Sequence, residues 1–129
     1  MIAAIDFRAP ALAAVALALA GCALNPSPQQ FAAADPGPFP DNYQQIVVAD
    51  FAQTLFDPYS AVFQIGAPSK GWARWLDKVT YGWAVCGTVN AKNRLGGYVG
   101  AQPFFVLIRD NQVVRREMGQ YIVRDGFCR

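Results

Sequence analysis

Read from its amino terminus, the chain passes through four patterns of apolar and polar residues. Residues 9–21 (APALAAVALALAG) form an uncharged apolar run of 13. Residues 23–40 (ALNPSPQQFAAADPGPFP) have no periodicity, five prolines and one charge. From Asp41 the apolar positions Tyr43, Ile46, Val47, Phe51 and Leu55 recur at three- and four-residue steps, with Gln45, Asp50 and Gln53 opposite, which predicts an amphipathic helix. Asp41 and Gln44 have the spacing of a capping box at its start. Asp57-Pro58 ends it, because a residue before proline avoids the α region.

Beyond Pro58 the period falls to two. Ala61, Phe63 and Ile65 alternate with Val62 and Gln64 as a first strand. Tyr81, Trp83, Val85, Gly87 and Val89 alternate with Gly82, Ala84, Cys86 and Thr88 as a longer second one. Gly96-Gly97 is a turn, and residues 100–109 (GAQPFFVLIR) form a third strand in which Pro103 points to an edge or a bulge. Asp110-Asn111 is a tight turn into a fourth strand over residues 112–118. Between the first two strands, Trp72, Trp75, Leu76 and Val79 sit at helical spacing, with Lys70, Arg74, Asp77 and Lys78 among them. They predict a short amphipathic turn that packs as core or lies against a membrane or partner. The expected fold is α+β: one N-terminal helix packed on a small, mostly antiparallel sheet of about four strands.

An apolar run of 13 is too short to span a bilayer, which takes about 20 residues as a helix. It has the length of a signal-peptide core. Leu19-Ala20-Gly21-Cys22 resembles the lipobox of bacterial lipoproteins at every position. The resemblance implies cleavage before Cys22 and acylation of its thiol. The single Arg8, accompanied by Asp6, is a weaker positive region than the family's. Ala23 resembles the residue found in outer-membrane lipoproteins rather than the Asp of those retained in the inner membrane. The expected organisation is a lipoprotein signal peptide over 1–21, a lipidated Cys22 with a Pro-rich tether over 22–40, and a small domain over 41–129.

Composition narrows the chemistry. Among 129 residues there is no histidine, which excludes Ser-His-Asp and Cys-His catalysis and the helical two-histidine zinc motif. Three cysteines do not make a four-ligand zinc site, and neither metal nor cofactor is expected. With Cys22 acylated in an oxidising compartment, Cys86 and Cys128 remain to pair as a disulfide. The other reading makes Cys86 a reactive thiol, with no histidine to activate it.

Residues 86–100 read CGTVNAKNRLGGYVG. This stretch, preceded by Asp57, Pro58, Ser60, Ala61 and Phe63, resembles an element of an uncharacterised family of small exported bacterial proteins with the pattern CGxxNAKNxxGGYxG. The resemblance implies export and brings no activity. Asn90 and Asn93 suit bonds to their own backbone in a structural turn. In the sharper reading, Asn90, Lys92, Asn93, Arg94 and Tyr98 form a binding loop for a glycan or a protein.

A net charge of +2 is too balanced to imply nucleic-acid binding. Its distribution is uneven. Residues 22–65 hold four acids and no base, whereas residues 66–129 hold ten bases and four acids. Arg109, Arg115, Arg116 and Arg124 cluster late in the chain, as a basic surface for anionic headgroups, peptidoglycan or an acidic protein, or as a solvated mixed face. The expected function is that of a lipid-anchored, non-enzymatic lipoprotein on the periplasmic face of the outer membrane, binding an envelope protein or a cell-wall component. The alternatives are a structural subunit of an envelope or secretion complex and a histidine-free hydrolase using carboxylates or Lys.

Overall fold

The computed structural model describes residues 25–124 together with 127 and 128. The expected signal peptide and Cys22 lie outside the described residues. In chain order the elements are α1 (Pro28–Ala33), α2 (Tyr43–Ala52), a 3-10 turn (Pro58–Ser60), β1 (Val62–Ile65), β2 (Ser69–Trp75), β3 (Lys78–Asn90), β4 (Gln102–Arg109), β5 (Gln112–Met118) and α3 (Tyr121–Arg124). The result is an antiparallel sheet of five strands with three short α-helices, in place of one helix and about four strands.

β3 organises the sheet. β1 pairs with its last residues, Val62 opposite Asn90 and Ile65 opposite Gly87. β2 pairs with its first half, Ser69 opposite Ala84 and Trp75 opposite Lys78. β1 and β2 therefore form one edge, interrupted where residues 66–68 face only Val85 and Cys86. That extra residue is a bulge, which raises the local twist, and Gly66 N–H restores the ladder by donating to Cys86 O at 2.8 Å. β4 lies on the other side of β3, and β5 borders β4.

The expected amphipathic turn around Trp72 is thus a strand. Trp72 and Trp75 are three residues apart on β2, so their side chains leave opposite faces of the sheet. Helical spacing lost to a seven-residue ladder with β3.

The expectation of an edge or bulge at Pro103 also needs correction, because β4 is an inner strand. Pro103 O accepts from Gly119 N–H at 2.9 Å, so the imide nitrogen faces the same side, where β5 has already ended at Met118. No bond to β3 is lost.

Both sheet faces are covered. On one, Val47 and Phe51 of α2 pack on Val85, Val89, Phe104, Val106 and Ile108, with Tyr43, Ile46, Leu55 and Phe63 around them. The rings of Phe51 and Phe104 meet edge to face at 5.1 Å between centroids. Arg116 of β5 closes that side by an ion pair of 2.7 Å to Asp50 of α2. The start of α2 differs from expectation: its N-cap is Asn42, with no side-chain cap bond, so Asp41 and Gln44 form no capping box.

On the opposite face Ala73, Ala84, Phe105 and Leu107 pack with Ile122 of α3, beside Cys86 and Cys128. A disulfide joins those cysteines across 42 residues of sequence, with 5.9 Å between their Cα atoms. It ties the C-terminal segment to β3.

The stretch expected as a tether is structured in its described part. Ser27 and Gln30 form a reciprocal capping box at the start of α1. The segment that follows lies on the sheet. Lys70 Nζ donates to Ala32 O at 3.0 Å, Arg109 Nη1 to Asp35 O at 2.6 Å and Trp83 Nε1 to Gly37 O at 3.0 Å. Phe39 meets the Trp83 ring edge-on at 5.0 Å, and Pro40 is fully buried. Prolines leave carbonyl oxygens with few backbone donors to match, and side chains of β2, β3 and β4 supply them.

Candidate functional site at the far end of β3

The connection from β3 to β4, residues 91–101, meets the 3-10 turn at Ser60. The Asp57 side chain accepts from Ser60 N–H at 3.2 Å, and Ser60 Oγ donates to Asp57 O at 2.8 Å. Ser60 Oγ also accepts from Lys92 N–H at 2.9 Å, and Tyr98 Oη donates to Ser60 O at 3.0 Å. The two sequence elements quoted above, Asp57 to Phe63 and the asparagine-rich stretch, are therefore joined through one serine.

All five expected loop residues have contacts inside the molecule. Asn90 Oδ1 accepts from Gly100 N–H at 3.0 Å, where Gly100 takes a positive φ of 99°. Asn93 Oδ1 accepts from Leu95 N–H at 2.9 Å and from Gly97 N–H at 3.2 Å. These side chains shape the turn, as the structural reading expected. The Lys92 ammonium lies 5.5 Å over the Tyr98 ring, and Tyr98 itself anchors to Ser60. Arg94 lies 5.4 Å over the Phe56 ring. The structure thus brings Asn90, Lys92, Asn93, Arg94 and Tyr98 together, with the asparagine acceptors already engaged.

What remains open at this end is apolar. A hollow of about 150 Å³ is walled mainly by Leu55, Phe56, Val89, Ala91, Val99 and Met118, with Lys92, Asn93 and Gln102 also on its lining. On its wall Phe56 is 63% exposed and Val99 53%, and in the same two segments of chain Tyr59 is 100% exposed and Leu95 94%. Isolated exposed apolar residues are ordinary, but exposed apolar side chains on the wall of a hollow mark a candidate interaction surface. Phe56, Tyr59, Leu95, Val99 and Met118 were not singled out from sequence. Their signal was bulky apolar residues inside stretches rich in Asp, Pro, Asn and Gly, where solvated polar residues are the norm.

Trp72 and Trp75, expected on one face of a helical turn, leave opposite faces of β2. Trp72 is half-buried opposite Tyr81, and Trp75 is exposed beside the β2–β3 turn.

The expected basic surface is largely committed to internal partners: Arg109 to Asp35 O and Tyr81 O, Arg115 to Glu117, and Arg116 to Asp50. Glu117 also accepts from Tyr121, which raises that phenol above its ordinary value, assisted by burial and by the carboxylate's charge.

A second, open hollow of about 520 Å³ lies between residues 25–35 and the β2–β3 hairpin, with Asp35 and Asp77 on its wall. Asp35 Oδ1 is spent on Gly37 N–H at 2.8 Å, a local turn bond. Among the described residues no group of three or more His, Cys, Asp or Glu is placed to hold a metal ion.

No family model, curated protein or solved structure matches the chain.

Proposed function

We propose that the protein is a lipid-anchored, non-enzymatic lipoprotein of the cell envelope, on the periplasmic face of the outer membrane, that binds a protein partner through the far end of β3. The fold behind this reading is α+β, with α2 as the main helical cover of the sheet. The supporting observation is the hollow with the exposed Phe56, Val99 and Met118 on its wall, and with Tyr59 and Leu95 exposed in the same two segments of chain. Aromatic and aliphatic side chains over a small apolar hollow suit a protein anchor residue better than a hydroxyl-rich glycan, which needs open hydrogen-bond acceptors and donors. The asparagines that would serve a glycan have their oxygens occupied by the loop's own backbone.

Anchoring rests on Leu19-Ala20-Gly21-Cys22 and export on the apolar run before it. The disulfide agrees with an oxidising compartment.

The test is site-specific photo-crosslinking in cells, with the photoreactive residue at Leu95 and a control at Gln112 on the β5 side. A discrete protein adduct from Leu95, absent from Gln112, is expected. Adducts of equal yield from both positions, or glycan adducts from Leu95, would overturn the proposal.

A further inference from the structure

We infer that the tip of the β2–β3 hairpin seats in the surface of the bilayer to which the chain is anchored, an inference that rests on the reading of Cys22 as the acylated residue. Position comes first. Asn25 and Pro26 wall the same open hollow as Asp77 and Val79, so the described chain begins beside the hairpin. Three residues separate Asn25 from Cys22, and a chain reaches at most about 3.6 Å per residue, or about 11 Å in all. An acyl anchor at Cys22 therefore holds the start of the described chain, on the wall of the hollow it shares with the hairpin, within about 11 Å of the lipid.

The chemistry of the tip fits an interface. Trp75 is 69% exposed and Leu76 80% exposed. Tryptophan favours the headgroup level of a bilayer, where its ring is shielded and its N–H is wet. Leu76 occupies the first position of a two-residue turn at φ +54°, a left-handed conformation that suits Gly or Asn and strains a branched apolar residue. The strain returns no core contact, since the side chain stands in solvent. An apolar residue held there against its backbone preference is explained by a partner outside the molecule.

Charge decides what kind of attraction operates. Asp77 and Lys78 offset one another at the turn. Arg115 lies 5.4 Å over the Trp75 ring and is itself paired to Glu117. Along its length the hairpin carries Lys70, Arg74 and Lys78 against Asp77, but phosphatidylcholine has no net charge to draw them, so the attraction to such a bilayer is apolar and interfacial rather than Coulombic, and raised salt leaves it in place.

The experiment uses the full chain purified from cells and reconstituted in phosphatidylcholine vesicles whose acyl chains carry bromine, a short-range quencher of tryptophan. Wild type, Trp75→Phe and Leu76→Asn are compared, the last because Asn tolerates the positive φ and keeps the turn. Bromolipid quenching is expected in wild type, lost in Trp75→Phe, reduced in Leu76→Asn and unchanged by high salt. Equal quenching in wild type and Trp75→Phe, no quenching in either, or reversal by salt would overturn the inference. The intact mass of the same sample reports acylation separately. An unacylated chain with a quenched Trp75 retains the hairpin contact and discards the anchor, and an acylated chain without quenching does the reverse.

Discussion

Ser60 makes four hydrogen bonds that involve a side chain, with three other residues in two segments of the chain that sequence keeps apart. Only its carbonyl and amide bonds survive truncation to alanine, and Lys92 N–H then loses its acceptor. Ser60→Ala is expected to lower unfolding stability by about 1–2 kcal/mol, and to speed hydrogen exchange at the Lys92 amide beyond the global change. Unaltered exchange there would remove Ser60 from its joining role. Gly87 is a contrasting case. A Cβ there would fall on the Gln64 carbonyl oxygen and within 2.7 Å of the Phe104 ring, inside the larger core. Gly87→Ala is expected to cost about 1–3 kcal/mol or more in a denaturant titration, the range for overpacking. At Leu76 the sign reverses: Leu76→Gly relieves the left-handed backbone and is expected to raise stability by about 1 kcal/mol, seen as a higher urea midpoint.

Among the elements, those whose signal is local were legible in sequence. Asp110 and Asn111 both take positive φ, at 52° and 59°, as a tight hairpin turn demands, and β5 covers the expected residues 112–118. The alternation of β3 was readable because one face of each half packs on a core. β2 was not, because Gly71 and Gly82, opposite one another, left too few apolar positions to mark the period. What decides β2 is its ladder with β3, a tertiary fact that overrides Trp-Leu-Val spacing. The docked Pro-rich segment was illegible for a similar reason: its fastenings come from Lys70, Trp83 and Arg109, which are 38, 46 and 74 residues away in sequence.

The disulfide carries the element-scale prediction. Closing 42 residues, it stabilises by about 4 kcal/mol in the loop-entropy account, so reduction or the Cys86→Ala/Cys128→Ala pair should lower the unfolding free energy by that order. Loss of protection should centre on α3 and on Phe105 and Leu107, the face that the C-terminal segment covers. A change confined to the α2 side would contradict this placement.

At the scale of the molecule, the two candidate contact regions lie at opposite ends of β3. Lys78 begins the strand at the hairpin and Asn90 ends it at the asparagine-rich loop, 13 residues that extend up to about 40 Å at 3.3 Å per residue. Under the proposed anchoring, the sheet would be a spacer that presents the apolar end away from the bilayer. Of the candidate site, the loop's shape was legible through its asparagines and glycines. Its apolar surface was not, because Phe56 and Val99, 43 residues apart in sequence, come to wall one hollow only in the folded chain. The polarity of the molecule depends on anchoring at Cys22, and membrane fractionation of the native chain beside Cys22→Ser tests it most directly. The native chain is expected in the membrane fraction, resistant to high-salt and alkaline washes, with Cys22→Ser accumulating as a longer, uncleaved precursor. A native chain that washes free, or a Cys22→Ser variant of the same length and distribution, would contradict the account.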